Sequence, residues 1–417
     1  MQKIKMYHIS QIYENKRIEN IPNVISQEFR KINLGTKIRP GMKIGITVGS
    51  RGINNIQLII KNVVQEIKKR GGVPFILPAM GSHGGATAKG QKEMLASYGI
   101  TEENIGAPIK ATMDVVKIGE LKNSLPVYFD KYAFHADGII VVNRIKVHTA
   151  FKAEIESGLN KILSVGLGKQ KGASLVHYLG TRGLRDYIVE FARIILDKAP
   201  ILCGLGILEN AYDETYKIVA ANPEDFEKVD KELLRECKKI LSRLPVSDID
   251  ILIVKEMGKN ISGPGMDTNI IGGILEYKKE DFNPPRIKKI IVLDLTPETH
   301  GNAMGLGLAH IITRRLYQKI DLKATYANAI TSTFLERVRI PLIANTDKEA
   351  LDIALKTIWN LPETKPRIII IKNTLKLDEI YVSEAIWEDI KNKDDILYKG
   401  NWEYLSFDMQ ENLNLRL

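Results

Sequence analysis

Cysteine is scarce in this sequence, which has only Cys203 and Cys237 among its 417 residues. Two cysteines cannot build a disulfide framework or, by themselves, a thiolate zinc site. Long hydrophobic runs are missing too, since no window approaches the roughly 18 uncharged apolar residues that span a membrane. The N-terminal residues have no apolar segment of the kind found in secretory signals. We therefore expect a cytoplasmic protein without a membrane partner.

Charge of one sign is not concentrated anywhere in the sequence. The chain carries 60 Lys and Arg against 50 Asp and Glu, a formal net charge of +10, but the basic residues are spread out and interleaved with acids. Hydrophobic residues make up 44% and charged residues 26%, which excludes a mainly disordered chain. We interpret most of the excess charge as solvated surface, with some of it available to small anionic ligands. No nucleic-acid partner is expected.

The length and the hydrophobic pattern predict two domains of an α/β protein. Short apolar runs alternate with amphipathic stretches, so each domain is expected to have a mostly parallel sheet flanked by helices. A linker at Pro245 separates an N-terminal cofactor-binding and catalytic domain, residues 1–245, from an α/β domain, residues 246–384. Residues 385–417 are expected to pack back on the first domain, and the active site is expected in the cleft between the domains.

Individual elements follow from the same pattern. Apolar runs predict strands at residues 43–49, 73–77, 137–142, 201–208, 249–254, 287–295 and 367–372. Helical spacing of apolar residues predicts helices at 55–70, 87–98, 183–196, 224–241 and 382–392. The glycine-rich stretch 301–307 is expected to run into a further helix.

His83 lies in the glycine-rich segment Met80 to Thr87, between a predicted strand and a predicted helix. The carboxyl end of a strand in an open α/β sheet is where ligands bind. Gly84 and Gly85 let a ligand or another backbone approach closely, and the helix start beyond them favours an anion. The alternative is a glycine-rich turn whose histidine only caps the helix.

Two other strand ends carry polar residues. Arg144, Lys146 and His148 alternate after the strand 137–142, and they share a cationic face if the strand continues. An edge strand protected by its basic residues is the alternative. Arg51 follows the first clear strand. Residues from three strand ends, Arg51, His83 and His148, therefore suggest one shared crevice.

The segment 157–173 contains Gly166, Gly168 and Gly172 together with lysines, and His177 follows it. We interpret it as a flexible loop that allows close approach and could cradle a phosphate. It is not a Walker A sequence, because the Gly-Lys-Ser/Thr spacing is absent. The sequence also has no HExxH, no paired CxxC and no complete dinucleotide-binding GxGxxG after a strand.

Five features in order resemble the lactate racemase family, whose members use a nickel-pincer nucleotide. They are the arginine in Gly49 to Arg51, the turn Gly81 to His83, His148 after a strand, the lysine in Ser157 to Lys161, and His177 sixteen positions later. The resemblance covers roughly residues 45–180. It implies an isomerase that racemises or epimerises a 2-hydroxy acid.

The resemblance also implies a cofactor whose pyridinium ring carries two sulfur-containing arms. Lys161 would carry this cofactor covalently, and His177 would bind its nickel, which neutral imidazole suits. His83 and His148 would be the acid and base on opposite faces of the substrate while hydride passes to the cofactor and back. Arg51 would engage the anion of substrate or cofactor. The remaining candidate cofactor contacts are Ser82, Gly84, Gly85 and Lys146.

In the second domain, Lys259, Asp267 and Asn269 are candidate substrate contacts, with a plain loop of turn residues as the alternative. The substrate segment of the family's second domain is not recognisable in this sequence. The stretch between His148 and Lys161 is also longer by a few residues than the family's. We therefore expect a hydroxy acid other than lactate.

Two functional hypotheses stay open. The first is the racemase or epimerase, with a 2-hydroxy acid as its small-molecule partner and cofactor-making enzymes as transient partners. The second is a non-catalytic or differently reacting member of the same fold that binds a phosphate-bearing small molecule. Two proton-transfer histidines favour the first, because a binding module does not need them. A homo-oligomer is compatible with either.

Overall fold

The computed structural model describes residues 3–275, 278–279, 282–359, 364–400, 402–415 and 417. Two compact units make up the chain. The first unit is Glu14–Leu241, and the second consists of Met1–Tyr13 together with Ser242–Leu417. The junction lies close to the predicted linker at Pro245. Both chain ends differ from the prediction, because residues 1–13 and the C-terminal segment 385–417 belong to the second unit.

The strands are β1 Lys5–Gln11, β2 Lys43–Val48, β3 Val73–Pro78, β4 Val115–Glu120, β5 Pro126–Asp130, β6 Gly138–Arg144, β7 Ile201–Glu209, β8 Thr215–Ala221, β9 Asp248–Val254, β10 Arg286–Val292, β11 Ile311–Thr313, β12 Leu342–Ala344, β13 Ile368–Ile371, β14 Glu379–Ser383, β15 Ile396–Tyr398 and β16 Glu403–Tyr404. The predicted strands match β2, β3, β6, β7, β9, β10 and β13 to within a few residues. They are the elements that the hydrophobic pattern specifies most directly.

The α-helices are α1 Ile21–Lys31, α2 Leu34–Lys37, α3 Ile56–Lys69, α4 Ala88–Ser97, α5 Glu102–Ile105, α6 Lys131–Phe134, α7 Leu159–Lys161, α8 Lys169–Tyr178, α9 Gly180–Arg182, α10 Ile188–Lys198, α11 Phe226–Ile240, α12 Thr268–Ile271, α13 Arg314–Gln318, α14 Leu322–Ser332, α15 Asp347–Thr357 and α16 Glu384–Ile390. Two stretches, Ile162–Gly166 and Gly183–Tyr187, have π-helical hydrogen bonding. Short 3₁₀ turns lie at Gly84–Ala86, Pro223–Asp225, Pro297–Thr299, Leu306–Leu308 and Leu335–Val338.

The first unit is built on a sheet with strand order β3-β2-β6-β7-β8. β3, β2, β6 and β7 run parallel, and β8 returns antiparallel to β7. Side chains alternate across the sheet, as a strand requires. On β7, Cys203 and Leu205 lie in the same apolar core as Ile59 of α3, whereas Gly204 lies against Phe226 of α11. Helices therefore cover both faces of this sheet, as predicted.

The second unit contains a mixed sheet with strand order β12-β11-β10-β9-β13-β14-β1-β15, and β16 also pairs with β1. Pairing is parallel from β12 to β13 and antiparallel from β14 onward. β1 lies between β14 and β15, so the two ends of the chain are hydrogen-bonded into one sheet. This pairing explains why residues 1–13 and 385–417 belong with the second unit. The α/β fold class is confirmed.

Two local predictions from glycine content were wrong. The segment 157–173 is not a flexible loop but a nearly continuous helical stretch through α7, Ile162–Gly166 and α8. A Cβ at Gly168 would lie 2.4 Å from the carbonyl oxygen of Ser164, so the glycine serves close backbone packing. After the short 3₁₀ turn Leu306–Leu308, the stretch 301–307 leads to strand β11 rather than to an α-helix, because Ile311–Thr313 pairs between β10 and β12.

Candidate active site

The carboxyl ends of three adjacent strands carry the predicted polar residues of the first unit. β3, β2 and β6 are neighbours and parallel, so the chain leaves all three at the same edge of the sheet. Arg51 follows β2, His83 follows β3 and His148 follows β6. The sheet order therefore brings the three predicted strand ends to one edge.

The loop that carries His83 is held by backbone contacts on two sides. The amide of Gly81 donates to the carbonyl of Gly166 at 3.0 Å, which joins the loop to the helical segment after Lys161. Gly84 has φ of +66°, and a Cβ there would lie 2.6 Å from the carbonyl carbon of Gly90 in α4. At Gly84, the close approach that the sequence predicted is made by a backbone. His83 itself is exposed.

Next to this loop, the fully buried Lys169 is hydrogen-bonded to the end of β3. Its Nζ donates to the carbonyl of Pro78 at 2.7 Å and to Oε1 of Gln91 at 2.5 Å, and it lies 3.7 Å from a carboxylate oxygen of Asp130. The Gln91 amide then donates to the carbonyls of Gly81 at 3.0 Å and His83 at 3.2 Å. This network fixes the backbone on which His83 lies.

His148 follows β6 in a segment where burial still alternates. Ile145 and Val147 are buried, while Arg144, Lys146 and His148 are half-buried. Burial therefore alternates beyond the regular strand, which ends at Arg144, and the shared face of these three residues stays a prediction. The Arg144 guanidinium is paired with the carboxylate of Glu209. The hydroxyl of Ser157 bonds to both backbone groups of Lys146, at 2.7 and 2.6 Å.

The His148 ring has a defined orientation. The backbone amide of Ala150 donates to its Nδ1 at 3.1 Å, and the ring centroid lies 4.4 Å from that of the fully buried Phe151. Because Nδ1 accepts this hydrogen bond, the neutral ring carries its proton on Nε2. Nε2–H is then the group that can donate to a ligand oxygen.

Lys161 ends the short helix α7, whose start is fixed by a buried carboxylate on α11. Asp230 accepts hydrogen bonds from the backbone amides of Leu159 and Asn160, each at 2.9 Å, and from the Asn160 side chain at 2.7 Å. Burial raises the pKa of Asp230 to about 7, although these hydrogen bonds oppose the shift. Gly158, with φ of +101°, leaves the room that this carboxylate needs.

Three of the predicted residues form one electrostatic cluster. Burial, reinforced by the positive charge of Arg51 and opposed by Glu156, lowers the pKa of the half-buried Lys161 to about 8. Burial and the charge of Lys161 lower the pKa of His177. Within the described residues, the side chains of Arg51, Lys161 and His177 make no hydrogen bond or ion pair with the protein. They are polar groups held close together and available to a ligand.

The candidate residues of the second unit lie in hydrogen bonds of their own loops. Lys259 donates through Nζ to the carbonyl of Gly263 and to Oδ1 of Asn328, both at 2.7 Å. The Asp267 carboxylate accepts from the backbone amide of Asn269 at 2.9 Å and from its side chain at 2.6 Å, which caps α12. Their proposed contact with substrate stays a prediction.

Sequence reasoning missed the buried ionic residues that support the site: Lys169, Asp130, Glu156 and Asp230. One signal was present in α11, where Asp230 falls at a core position of the helix between Phe226 and Leu233. A charged residue on an apolar helical face is expected to have a partner. The sequence did not show which groups that partner would be.

The described residues contain no cluster of three or more His, Cys, Asp and Glu side chains that could hold a metal ion. None of the described helices combines the length and apolar character needed to cross a bilayer.

Comparison with known proteins gives one family and one fold. Residues 2–180 match the family model of the lactate racemase N-terminal domain. The lactate racemase apoprotein from Thermoanaerobacterium thermosaccharolyticum is 15% identical and matches with a TM-score of 0.54 over 89% of this chain and 98% of that one. A protein from Thermotoga maritima is 13% identical, with a TM-score of 0.48 over 66% and 72%. No curated protein matches this sequence.

Proposed function

Since this chain belongs to the lactate racemase family, whose N-terminal-domain model matches residues 2–180, we propose that it is a nickel-pincer-nucleotide-dependent racemase or epimerase of a 2-hydroxy acid. The family and the fold support a racemase-type enzyme. The observation that carries the finer proposal is the cluster of Arg51, Lys161 and His177, whose polar groups are unpaired within the described residues.

The cluster fits the chemistry of such a cofactor. With a pKa of about 8, Lys161 has a sizeable fraction of neutral amine near neutral pH, which covalent attachment to an acyl group requires. His177, whose pKa is lowered, is a neutral imidazole whose lone pair suits nickel. One histidine is sufficient, because the sulfur-containing arms of the cofactor would supply further ligands. Lys161 would hold the cofactor, and His177 would bind its metal.

The chemistry that the bound cofactor supplies is reversible acceptance of hydride from the α-carbon of the hydroxy acid. The protein's own part is to hold substrate and move protons. One of His83 and His148 removes the hydroxyl proton as the α-carbon becomes planar, and the other returns a proton when the opposite face is reduced. Inversion uses two faces, so it needs two proton-transfer groups. Histidine suits both roles because it titrates near neutral pH.

Arg51 is the proposed anion-binding residue. It is exposed, interacts electrostatically with Lys161, and makes no ion pair within the described residues. A guanidinium binds a carboxylate or a phosphate through two parallel hydrogen bonds. The substrate carboxylate or a cofactor phosphate would therefore be held beside Lys161.

The decisive experiment is expression of the full chain together with cofactor-making enzymes. The expected result is an adduct of several hundred daltons on Lys161 and about one nickel per chain, both lost in Lys161→Met. His83→Ala and His148→Ala should keep adduct and nickel but lose racemisation. The control His135→Ala alters an exposed histidine at the end of α6 and should retain the adduct, the nickel and racemisation.

Two outcomes would reject the proposal. Absence of adduct and nickel in the co-expressed wild type would rule out the cofactor. Normal racemisation by His83→Ala or His148→Ala would rule out the two-histidine mechanism. Adduct and nickel without turnover of any 2-hydroxy acid would instead favour a differently reacting member of the same fold.

A further inference from the structure

Glu156 is a fully buried carboxylate to which four groups donate, two at each oxygen. Its Oε2 accepts from the backbone amide of His148 at 2.7 Å and from Nζ of Lys152 at 3.2 Å. Its Oε1 accepts from the amide of Ala153 at 3.3 Å and from Nζ of Lys238 at 3.0 Å. The loop from His148 to Glu156 is thus folded around one anion.

His148 is held through both of its backbone polar groups by the same buried ion pair. Its amide donates to Glu156, and its carbonyl accepts from Nζ of Lys152 at 3.2 Å. The Lys152 side chain is 2% exposed and that of Glu156 is 0% exposed. Charges in so dry a setting attract strongly, and loss of one partner leaves the other unpaired in the interior. The pair therefore fixes the position of this residue more firmly than surface charges could.

The orientation of the His148 ring depends on the same loop. The amide that donates to Nδ1 belongs to Ala150, and the ring packs on Phe151, so both contacts lie inside the turn that Glu156 closes. If the turn loosens, the Ala150 amide no longer faces Nδ1. The neutral ring then loses the preference for a proton on Nε2.

Lys238 connects this loop to the turn before Lys161. It lies on α11, the helix that also carries Asp230, which accepts the amides of Leu159 and Asn160. One helix thus anchors the loop of His148 and the start of α7. Glu156 is the buried contact through which the Lys238 ammonium of α11 holds the loop of His148.

We propose that Glu156 is a positioning residue that sets the place and tautomer of His148, with Lys152 as its partner. The role in catalysis rests on the proposed function, whereas the effect on the His148 ring does not. Glu156 does not touch the reacting atoms. It acts by holding the backbone from which the imidazole extends.

The test compares Glu156→Gln with Glu154→Gln in the full-length protein without cofactor. Glu154 is the matched control, since it lies in the same loop but is 70% exposed and pairs with Lys231. In NMR spectra of protein labelled with ¹⁵N-histidine, the ring signals of His148 are assigned as those that are missing from the spectrum of His148→Gln. We expect wild type and Glu154→Gln to show an unprotonated Nδ1 and a protonated Nε2. Glu156→Gln is expected to shift both signals toward a tautomer mixture.

In the cofactor-loaded enzyme, kcat of Glu156→Gln should fall roughly 100-fold with little change in KM, because a catalytic group displaced by about 1 Å loses that much. Glu154→Gln should keep the wild-type kcat. Lys152→Met keeps the Glu156–Lys238 pair but releases the His148 carbonyl, so it should show the same ring shift to a smaller extent. This variant also provides a test if Glu156→Gln does not fold.

Unchanged His148 ring signals in Glu156→Gln, or in Lys152→Met where Glu156→Gln does not fold, would overturn the inference. Equal shifts in the Glu154→Gln control would overturn it too. If the loaded wild type does not racemise, the proposed function fails, and the ring signals alone decide whether Glu156 positions His148.

Discussion

The carboxylate of Asp230 accepts hydrogen bonds from both the backbone amide and the side-chain amide of Asn160, at 2.9 and 2.7 Å. Asn160 directly precedes Lys161, the candidate attachment site for the cofactor. A buried acid on α11 therefore sets the turn from which the Lys161 amine extends. The stability of this contact should depend on pH, because burial places the pKa of Asp230 at about 7.

Asp230 should make the protein less stable as pH rises. Its pKa in the folded chain lies above the value of about 3.9 in an unfolded chain, so the folded state binds the proton more tightly. The stability from this proton is complete below about pH 4 and is lost as pH rises toward about 7. In urea unfolding, the free energy of unfolding of wild type minus that of Asp230→Asn should therefore fall by a few kcal/mol between about pH 5 and about pH 8. A difference that does not vary with pH would contradict this.

Gly158→Ala should destabilise the protein more than Gly85→Ala. Gly85 has left-handed helical φ and ψ, where alanine costs about 1–2 kcal/mol of backbone strain, whereas Gly158, with φ of +101° and ψ of −151°, adopts a conformation that essentially only glycine populates. At Gly85 nothing lies within 4 Å of the added Cβ, whereas at Gly158 the Cβ would lie 2.1 Å from Oδ1 of Asp230. Urea denaturation of the two variants measures the difference. Equal costs would mean that the Asp230 contact does not constrain the turn.

The amine of Lys161 should react with small acylating reagents at lower pH than an ordinary lysine. Its pKa is about 8, and the positive charge of Arg51 is one of the causes. Arg51→Met should therefore raise the pKa of Lys161 and slow its acetylation near neutral pH. Peptide mass spectrometry of pulse-labelled protein without cofactor gives the rates, with the exposed Lys171 as internal reference. An unchanged rate for Lys161 in Arg51→Met would show that Arg51 does not influence it.

Lys169→Met should be strongly destabilising, by about 3–5 kcal/mol, because it leaves the buried carboxylate of Asp130 without its cation. Lys171→Met, at an exposed position of the same helix, should change stability by less than about 1 kcal/mol. Thermal or urea unfolding of the two variants measures the difference in their stability. Faster hydrogen exchange of the Gly81 and His83 amides, which donate to the carbonyls of Gly166 and Met80, in Lys169→Met would further show that the network holds the His83 loop. Near-wild-type stability of Lys169→Met would contradict the network's role.

Local pattern predicted the strands of the first unit well but misjudged the segment 157–173. The apolar runs of β2, β3 and β6 can be recognised as strands from sequence, because a buried strand is hydrophobic along its whole length. Glycines are ambiguous by comparison, since they serve both flexible loops and tight packing. The tight contact between Gly168 and Ser164 was decided by neighbours that sequence alone does not show.

The sequence by itself determined the α/β class and the residues that follow the strands, Arg51, His83 and His148, because hydrophobic periodicity is a local property. Tertiary structure decided which buried charges support them. Asp230 meets Leu159 across 71 residues of sequence, and Lys169 meets Pro78 across 91. The partner of a buried charge is selected by packing of distant segments, since an ion left without one would be too costly to bury.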